Sequence, residues 1–238
     1  MMNISEFAGR TFVIKRVIEG EVRRKLTYDS SLCFGCELCS SACPQNAIKL
    51  YPLAYMLTGR PRIRIDANSC ILCGVCSEVC PSGAIKVDGA KIRLRRLFFA
   101  DFECEDCNLC EEVCPWDAIV SQGKTKTWIE ELCIFCGKCA KECPDGKIFV
   151  EKPFSGEIEI GEDCKFCGVC MDICPASAIS FDGRRMVVDT DVCIFCGACR
   201  NACPVKVIEV RRKDVRIENA TYPWFSQHER AIKCTLTR

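Results

Sequence analysis

The chain has 238 residues, 33 Lys and Arg against 32 Asp and Glu, and one His, for a formal net charge of +1. That balance supplies no basic field for nucleic acid, and no apolar run approaches the length of a membrane span. What stands out is 25 cysteines, a load that in a short secreted chain would signal a disulfide scaffold. An odd count, a start at Met1-Met2-Asn3-Ile4-Ser5-Glu6 with no basic-then-apolar leader, and a strict triplet spacing all argue against disulfides.

In chain order, residues 1–28 are expected to form an N-terminal strand or arm. Cys33, Cys36, Cys39 and Cys43, followed by Pro44, form the first C-x2-C-x2-C-x3-C-P run. Ala47-Ile48-Lys49-Leu50 then alternates with period two, which predicts a strand. An insert near 51–60 (Tyr51-Pro52-Leu53-Ala54-Tyr55-Met56-Leu57) and a second strand, Arg62-Ile63-Arg64-Ile65-Asp66, lead to Cys70, Cys73, Cys76, Cys80 and Pro81. Asp88-Gly89 predicts a tight hairpin turn. The third run is Cys104, Cys107, Cys110, Cys114 with Pro115, and the fourth is Cys133, Cys136, Cys139, Cys143 with Pro144. Strand-like Glu157-Ile158-Glu159-Ile160 precedes the fifth, Cys164, Cys167, Cys170, Cys174 with Pro175. Ala178-Ile179-Ser180-Phe181 and Arg185-Met186-Val187-Val188-Asp189 predict two strands about a turn at Asp182-Gly183. Cys193, Cys196, Cys199 and Cys203 with Pro204 complete the series. In each run the residues between third and fourth Cys suit one short helical turn.

Three soft thiolates spaced by two residues wrap three corners of a metal cluster, with a fourth coming from further away. Zinc would need two C-x2-C pairs per ion, and the single His228 is remote from every run. The runs resemble those of bacterial 2[4Fe-4S] ferredoxins over residues from about 25 to 212. The resemblance implies an α+β fold of three tandem ferredoxin-like modules, each with short antiparallel strands and two short helices around two clusters. The modules are placed at 29–97, 98–156 and 157–212, with a tail at 213–238. The gaps Cys114 to Cys133 and Cys174 to Cys193 are both 19 residues and match a compact two-cluster linker, joining runs three with four and five with six. Run one then falls to run two, although a nested pairing of run one with a distant run also fits.

In such ferredoxins the fourth Cys of a run ligates the partner cluster. The resemblance therefore implies six [4Fe-4S] clusters. In the first module these take Cys33, Cys36, Cys39 with Cys80, and Cys70, Cys73, Cys76 with Cys43. The second takes Cys104, Cys107, Cys110 with Cys143, and Cys133, Cys136, Cys139 with Cys114. The third takes Cys164, Cys167, Cys170 with Cys203, and Cys193, Cys196, Cys199 with Cys174. Each oxidised cluster with its thiolates carries about −2, bringing the loaded protein to roughly −11. Arg93-Leu94-Arg95-Arg96 and Arg211-Arg212-Lys213 then read as compensation or docking surface.

Gly74, Gly137, Gly168 and Gly197 follow the second Cys, where a permissive backbone can aim amides at sulfur. Glu37 and Asn108 stand there in runs one and three; Asn tolerates a left-handed backbone and Glu adds negative charge. Glu103, Glu105, Asp106, Glu111 and Glu112 crowd run three and should make its cluster harder to reduce. Phe135, Phe166 and Phe195, before the second Cys, are expected to be apolar lids.

No G-x-G-x-x-G, no phosphate-binding loop and no C-x3-C-x2-C with an open iron occurs, so no catalytic site is expected. The tandem runs resemble the polyferredoxins of methane-producing archaea. Leu32-Cys33-Phe34-Gly35-Cys36-Glu37-Leu38-Cys39 and the extended first segment are similar to the polyferredoxin subunit of formylmethanofuran dehydrogenase. Polyferredoxins beside energy-converting hydrogenases are the next resemblance, and a free soluble electron carrier or store is the alternative class. The resemblance implies a cytoplasmic electron wire with redox-protein partners, a multi-subunit oxidoreductase, and neither nucleic acid nor membrane span. Tyr222, Trp224 and Phe225 in the tail are candidate docking anchors, and Cys234 is expected to be a free thiol.

Overall fold

The computed structural model describes residues 2–51, 62–88, 96–99, 104, 107–122, 125–130, 132–152, 154–215 and 237. It forms two compact units, one within Met1–Leu94 and the other Arg95–Arg216. The first opens with an antiparallel meander of β1 (Met2–Ala8), β2 (Thr11–Ile18) and β3 (Glu21–Asp29). Its second turn is built on Glu19 and Gly20, both at positive φ as a two-residue hairpin requires. Ile14 and Leu26 face each other across β2 and β3 and are fully buried. The stretch expected as a single strand or arm thus holds three strands.

The third of these belongs to the first module. It pairs with β6 (Ile85–Val87), matching Leu26 to Val87 and Tyr28 to Ile85. Between them a hairpin joins β4 (Ile48–Leu50) to β5 (Ile63–Ile65), and α1 (Leu38–Ala42) packs against α2 (Val75–Glu78). An outer strand pair, an inner hairpin and two single-turn helices make one module.

The second unit repeats that plan twice. β7 (Arg96–Phe99) pairs with β10 (Ile148–Glu151) around the β8 (Ile119–Gln122) and β9 (Thr125–Trp128) hairpin, with α3 (Leu109–Glu112) on α4 (Lys138–Glu142). β11 (Phe154–Ile160) pairs with β14 (Ile208–Val215) around β12 (Ile179–Phe181) and β13 (Met186–Val188), with α5 (Val169–Asp172) on α6 (Ala198–Ala202). Helix pairing therefore runs one with two, three with four, five with six. Helices of four or five residues cannot persist alone, so packing and the neighbouring loops hold them. Each strand after a run opens on a buried Ile: Ile48, Ile85, Ile119, Ile148, Ile179 and Ile208. Among the described residues no helix is long and apolar enough to cross a membrane.

The turn at Asp182-Gly183 forms as expected. Asp182 Oδ1 accepts from the backbone N–H of Arg184 and Arg185 at 2.9 and 2.8 Å, and Gly183 takes φ 94°. The turn expected at Asp88-Gly89 falls at Gly89, which lies outside the described residues. β6 pairs back to β3, and β7 pairs forward to β10.

Gly156 sits at the register shift of β11, where an added Cβ would lie 2.4 Å from the Arg211 carbonyl oxygen and 3.2 Å from Arg212 Cα. Both obstacles are backbone, so the strands themselves must part. Gly156→Ala is expected to cost about 1–3 kcal/mol, read as a lower denaturation midpoint of the metal-loaded protein.

Candidate metal centres

Each run is shaped by backbone in the left-handed region at recurring positions, with φ between 48° and 92°. The residue before the second Cys takes it at Gly35, Leu72, Phe135, Phe166 and Phe195. The residue after it does so at Glu37, Gly74, Gly137, Gly168 and Gly197, and the third residue after the fourth Cys does so in all six runs. Successive αR–αL steps turn N–H groups to one side, forming a nest for negative charge. Accordingly Phe135 N–H reaches Cys133 Sγ and Phe195 N–H reaches Cys193 Sγ, both at 3.4 Å. The amides of Ala47, Ala118 and Ala178 reach the sulfurs of Cys43, Cys114 and Cys174 at 3.3 Å. Asn108, residue types aside, stays at φ −110°, while Glu37 takes φ 70° although it is the residue less suited to it.

The fold brings thiols of different runs together. Cys39 stands within electrostatic reach of Cys33, Cys36 and Cys80, and Cys76 of Cys70, Cys73 and Cys43. Cys139 lies by Cys133, Cys136 and Cys114, and Cys199 by Cys193 and Cys174. Cys110 lies by Cys104 and Cys107 and shares an apolar cluster with Cys143. Cys170 lies by Cys164 and Cys167, and Cys203 caps the end of α6.

Two of these groupings line matching open recesses. One, of about 380 Å³, is lined by Cys133, Cys136, Cys139 and Cys114 with Ile134, Phe135 and Trp128. The other, of about 340 Å³, is lined by Cys193, Cys196, Cys199 and Cys174 with Ile194, Phe195 and Val210. Among the described residues no three Cys, His, Asp or Glu converge as one metal ion would require. The thiols stand around the recess instead, a donor set that fits a cluster presenting a metal at each corner.

Burial pushes Cys133 up to about 11 and Cys139 and Cys199 up to about 12, with neighbouring thiolates adding to the effect on the latter two. Cys39, Cys76 and Cys196 move upward for the same two reasons. Soft cations are what make such a set of thiolates stable out of water.

Cations also reach the runs, and sequence reading assigned them only in bulk. Arg24 Nη1 donates to the Leu72 carbonyl at 2.7 Å, and Arg16 Nη2 to that of Cys70 at 3.3 Å. Arg62 lies close to Gly35 and within reach of Cys33. Arg212, only 5% exposed, donates to the Phe195 and Cys196 carbonyls at 2.8 Å and lies 5.5 Å over the Phe154 ring. In run three, Lys126 donates to Asn108 Oδ1 at 2.7 Å, and Ser121 Oγ donates to Glu111. Glu103, Glu105 and Asp106 lie outside the described residues, as do Tyr222, Trp224, Phe225, His228 and Cys234. Tyr28 and Trp128, each five residues before the first Cys of a run, face Cys33 and Cys133. That matched spacing was the signal that could have found them.

Phe135 and Phe195 are buried as lids, Phe135 edge-on to Trp128 at 5.8 Å. Phe166 is not a lid. It is 52% exposed and meets Phe181, itself on the outer end of a hairpin, at 5.5 Å.

A family model described as a 4Fe-4S dicluster domain matches residues 32–84, 69–118 and 163–234, and a second model of the same description matches 103–149. A chain of the formate dehydrogenase–heterodisulfide reductase–formylmethanofuran dehydrogenase complex from Methanospirillum hungatei superposes with a TM-score of 0.80 and 28% identity. The match covers 97% of this chain and 91% of that one. No curated protein matches.

Gly168, at φ +79°, has open space where a Cβ would stand. Gly168→Ala thus isolates backbone strain from packing. It is expected to cost about 1–2 kcal/mol, measured by denaturation of the metal-loaded protein, and a neutral result would rule out strain at this position.

Proposed function

This chain belongs to the 4Fe-4S dicluster domain family, and we propose from that premise that it carries six [4Fe-4S] clusters as the conducting subunit of a larger redox complex, of the formylmethanofuran dehydrogenase kind. It is an iron–sulfur electron-transfer protein of the polyferredoxin type. The observation that carries the cluster reading is the recess framed by Cys133, Cys136, Cys139 and Cys114, repeated at Cys193, Cys196, Cys199 and Cys174. In each, three thiols come from one run and the fourth from its partner. The other four sites follow the same rule: Cys33, Cys36, Cys39 with Cys80; Cys70, Cys73, Cys76 with Cys43; Cys104, Cys107, Cys110 with Cys143; Cys164, Cys167, Cys170 with Cys203.

A bound cubane supplies a one-electron carrier. The chain's own residues do the rest. Buried Ile134, Phe135, Ile194 and Phe195 keep water from the thiols. Amides aimed at sulfur and cations such as Arg24 and Arg212 favour the more negative, reduced state. With thiolates on every corner, no iron is left for a substrate, so the chain acts through its partners. We place part of that docking in the tail, through Tyr222, Trp224 and Phe225.

Anaerobically prepared protein is expected to hold about 24 irons and about 24 sulfides, in six cubanes. Zinc, or iron near half that value, ends the six-cluster reading. Cys143→Ala should remove the cluster of Cys104, Cys107 and Cys110 and spare the one nearest in sequence, as followed by EPR and iron content; the reverse loss would refute ligand exchange between runs. Deleting residues 213–238 should leave iron unchanged and abolish copurification with an oxidoreductase. Normal assembly of the truncated chain would exclude the tail as an anchor, and a full-length chain always found alone would favour a free carrier.

A further inference from the structure

The second and third modules meet inside one compact unit, and the residues that join them come from two particular runs. Trp116, two residues after Cys114, donates from Nε1 to the carbonyl of Pro175, which directly follows Cys174, at 2.8 Å. Lys141 on α4 pairs with Asp189 at 2.6 Å and Asp191 at 3.8 Å, just ahead of Cys193. Lys152, beyond the end of β10, lays its Cε 3.7 Å from the point where Gly137 would carry a Cβ. Its ammonium donates to the carbonyls of Thr190 at 3.2 Å, Asp191, and Cys193 at 3.1 Å. On one side of every contact stand residues of the Cys133, Cys136, Cys139 and Cys114 set. On the other stand residues of the Cys193, Cys196, Cys199 and Cys174 set.

We propose that the metal sites of runs four and six are the neighbours across this junction, and that Lys152 is a positive charge shared between them. The order in space is then three, four, six, five rather than the order in sequence. The proposal rests on the six-cluster reading above.

Lys141 is an ordinary surface ion pair, 40% exposed like its partner Asp189, and such pairs contribute little. Lys152 differs in kind. It is half-buried, its acceptors are backbone carbonyls that include that of a thiol-bearing residue, and both Cys136 and Cys193 lie within its electrostatic reach. Reducing either site adds one electron and breaks no bond, so the added negative charge falls directly on the field of this ammonium.

The test is a potentiometric titration of the full-length, anaerobically purified protein with dithionite, followed by EPR, on wild type, Lys152→Gln and Lys152→Arg. Gln keeps a donor and removes the charge; Arg keeps the charge. Two of the six reduction steps should move to lower potential in Lys152→Gln with iron content unchanged, and Lys152→Arg should return both towards wild type. A neutral variant that loses about eight irons, two cubanes' worth, while Lys152→Arg keeps them, also supports a shared cation. Movement of one step or none at full iron overturns the proposal, as does a loss of iron spread over more than two sites. If wild type itself lacks the six clusters, it is the cluster reading that fails.

Discussion

Gathering four thiolates around an apolar recess is the constraint on which this molecule depends. Burial opposes ionisation of each thiol, and every neighbouring thiolate opposes it further, as the upward displacement of Cys139 and Cys199 shows. Iron offsets both costs at once. Because each repeat is only about 30 residues long, it cannot bury enough apolar surface to fold by that means alone. Metal binding and folding therefore become one equilibrium in a module of this kind. The left-handed backbone positions, the amides directed at sulfur and the cations on the loops are secondary responses to the same negative charge.

The strand arrangement accounts for Cys114 and Cys174 lining recesses formed by their partner runs. β3 with β6, β7 with β10 and β11 with β14 each close a module by pairing its first strand with its last, while an inner hairpin separates the two runs. This carries the end of one run across to the partner's recess. The added β1–β2 hairpin extends only the first module's sheet and contributes Arg16, which reaches the loop of run two.

Much of this was legible in the chain. Period-two stretches at Ile63–Ile65, Met186–Val188 and Ile179–Phe181 became strands, and every run acquired its short helix. Asp182-Gly183 turned as read because its side chain and its glycine form the turn locally. The misreading concerns a feature that is not local. Phe166 shares its position in the run with Phe135, but Phe135 finds Trp128 to cover it and Phe166 finds only the exposed Phe181.

Sequence by itself determined the donor chemistry: which thiols exist, their triplet spacing and the strands that flank them. Those properties are fixed within about ten residues, where chain geometry leaves few choices. Tertiary structure alone decided which charges and rings meet the runs. Arg24 reaches Leu72 from 48 residues away, Lys152 reaches Cys193 across 41, and Trp116 reaches Pro175 across 59. No spacing rule encodes such contacts, because they arise only when burial brings distant segments to the same surface and leaves a cation or an aromatic ring one best place to go.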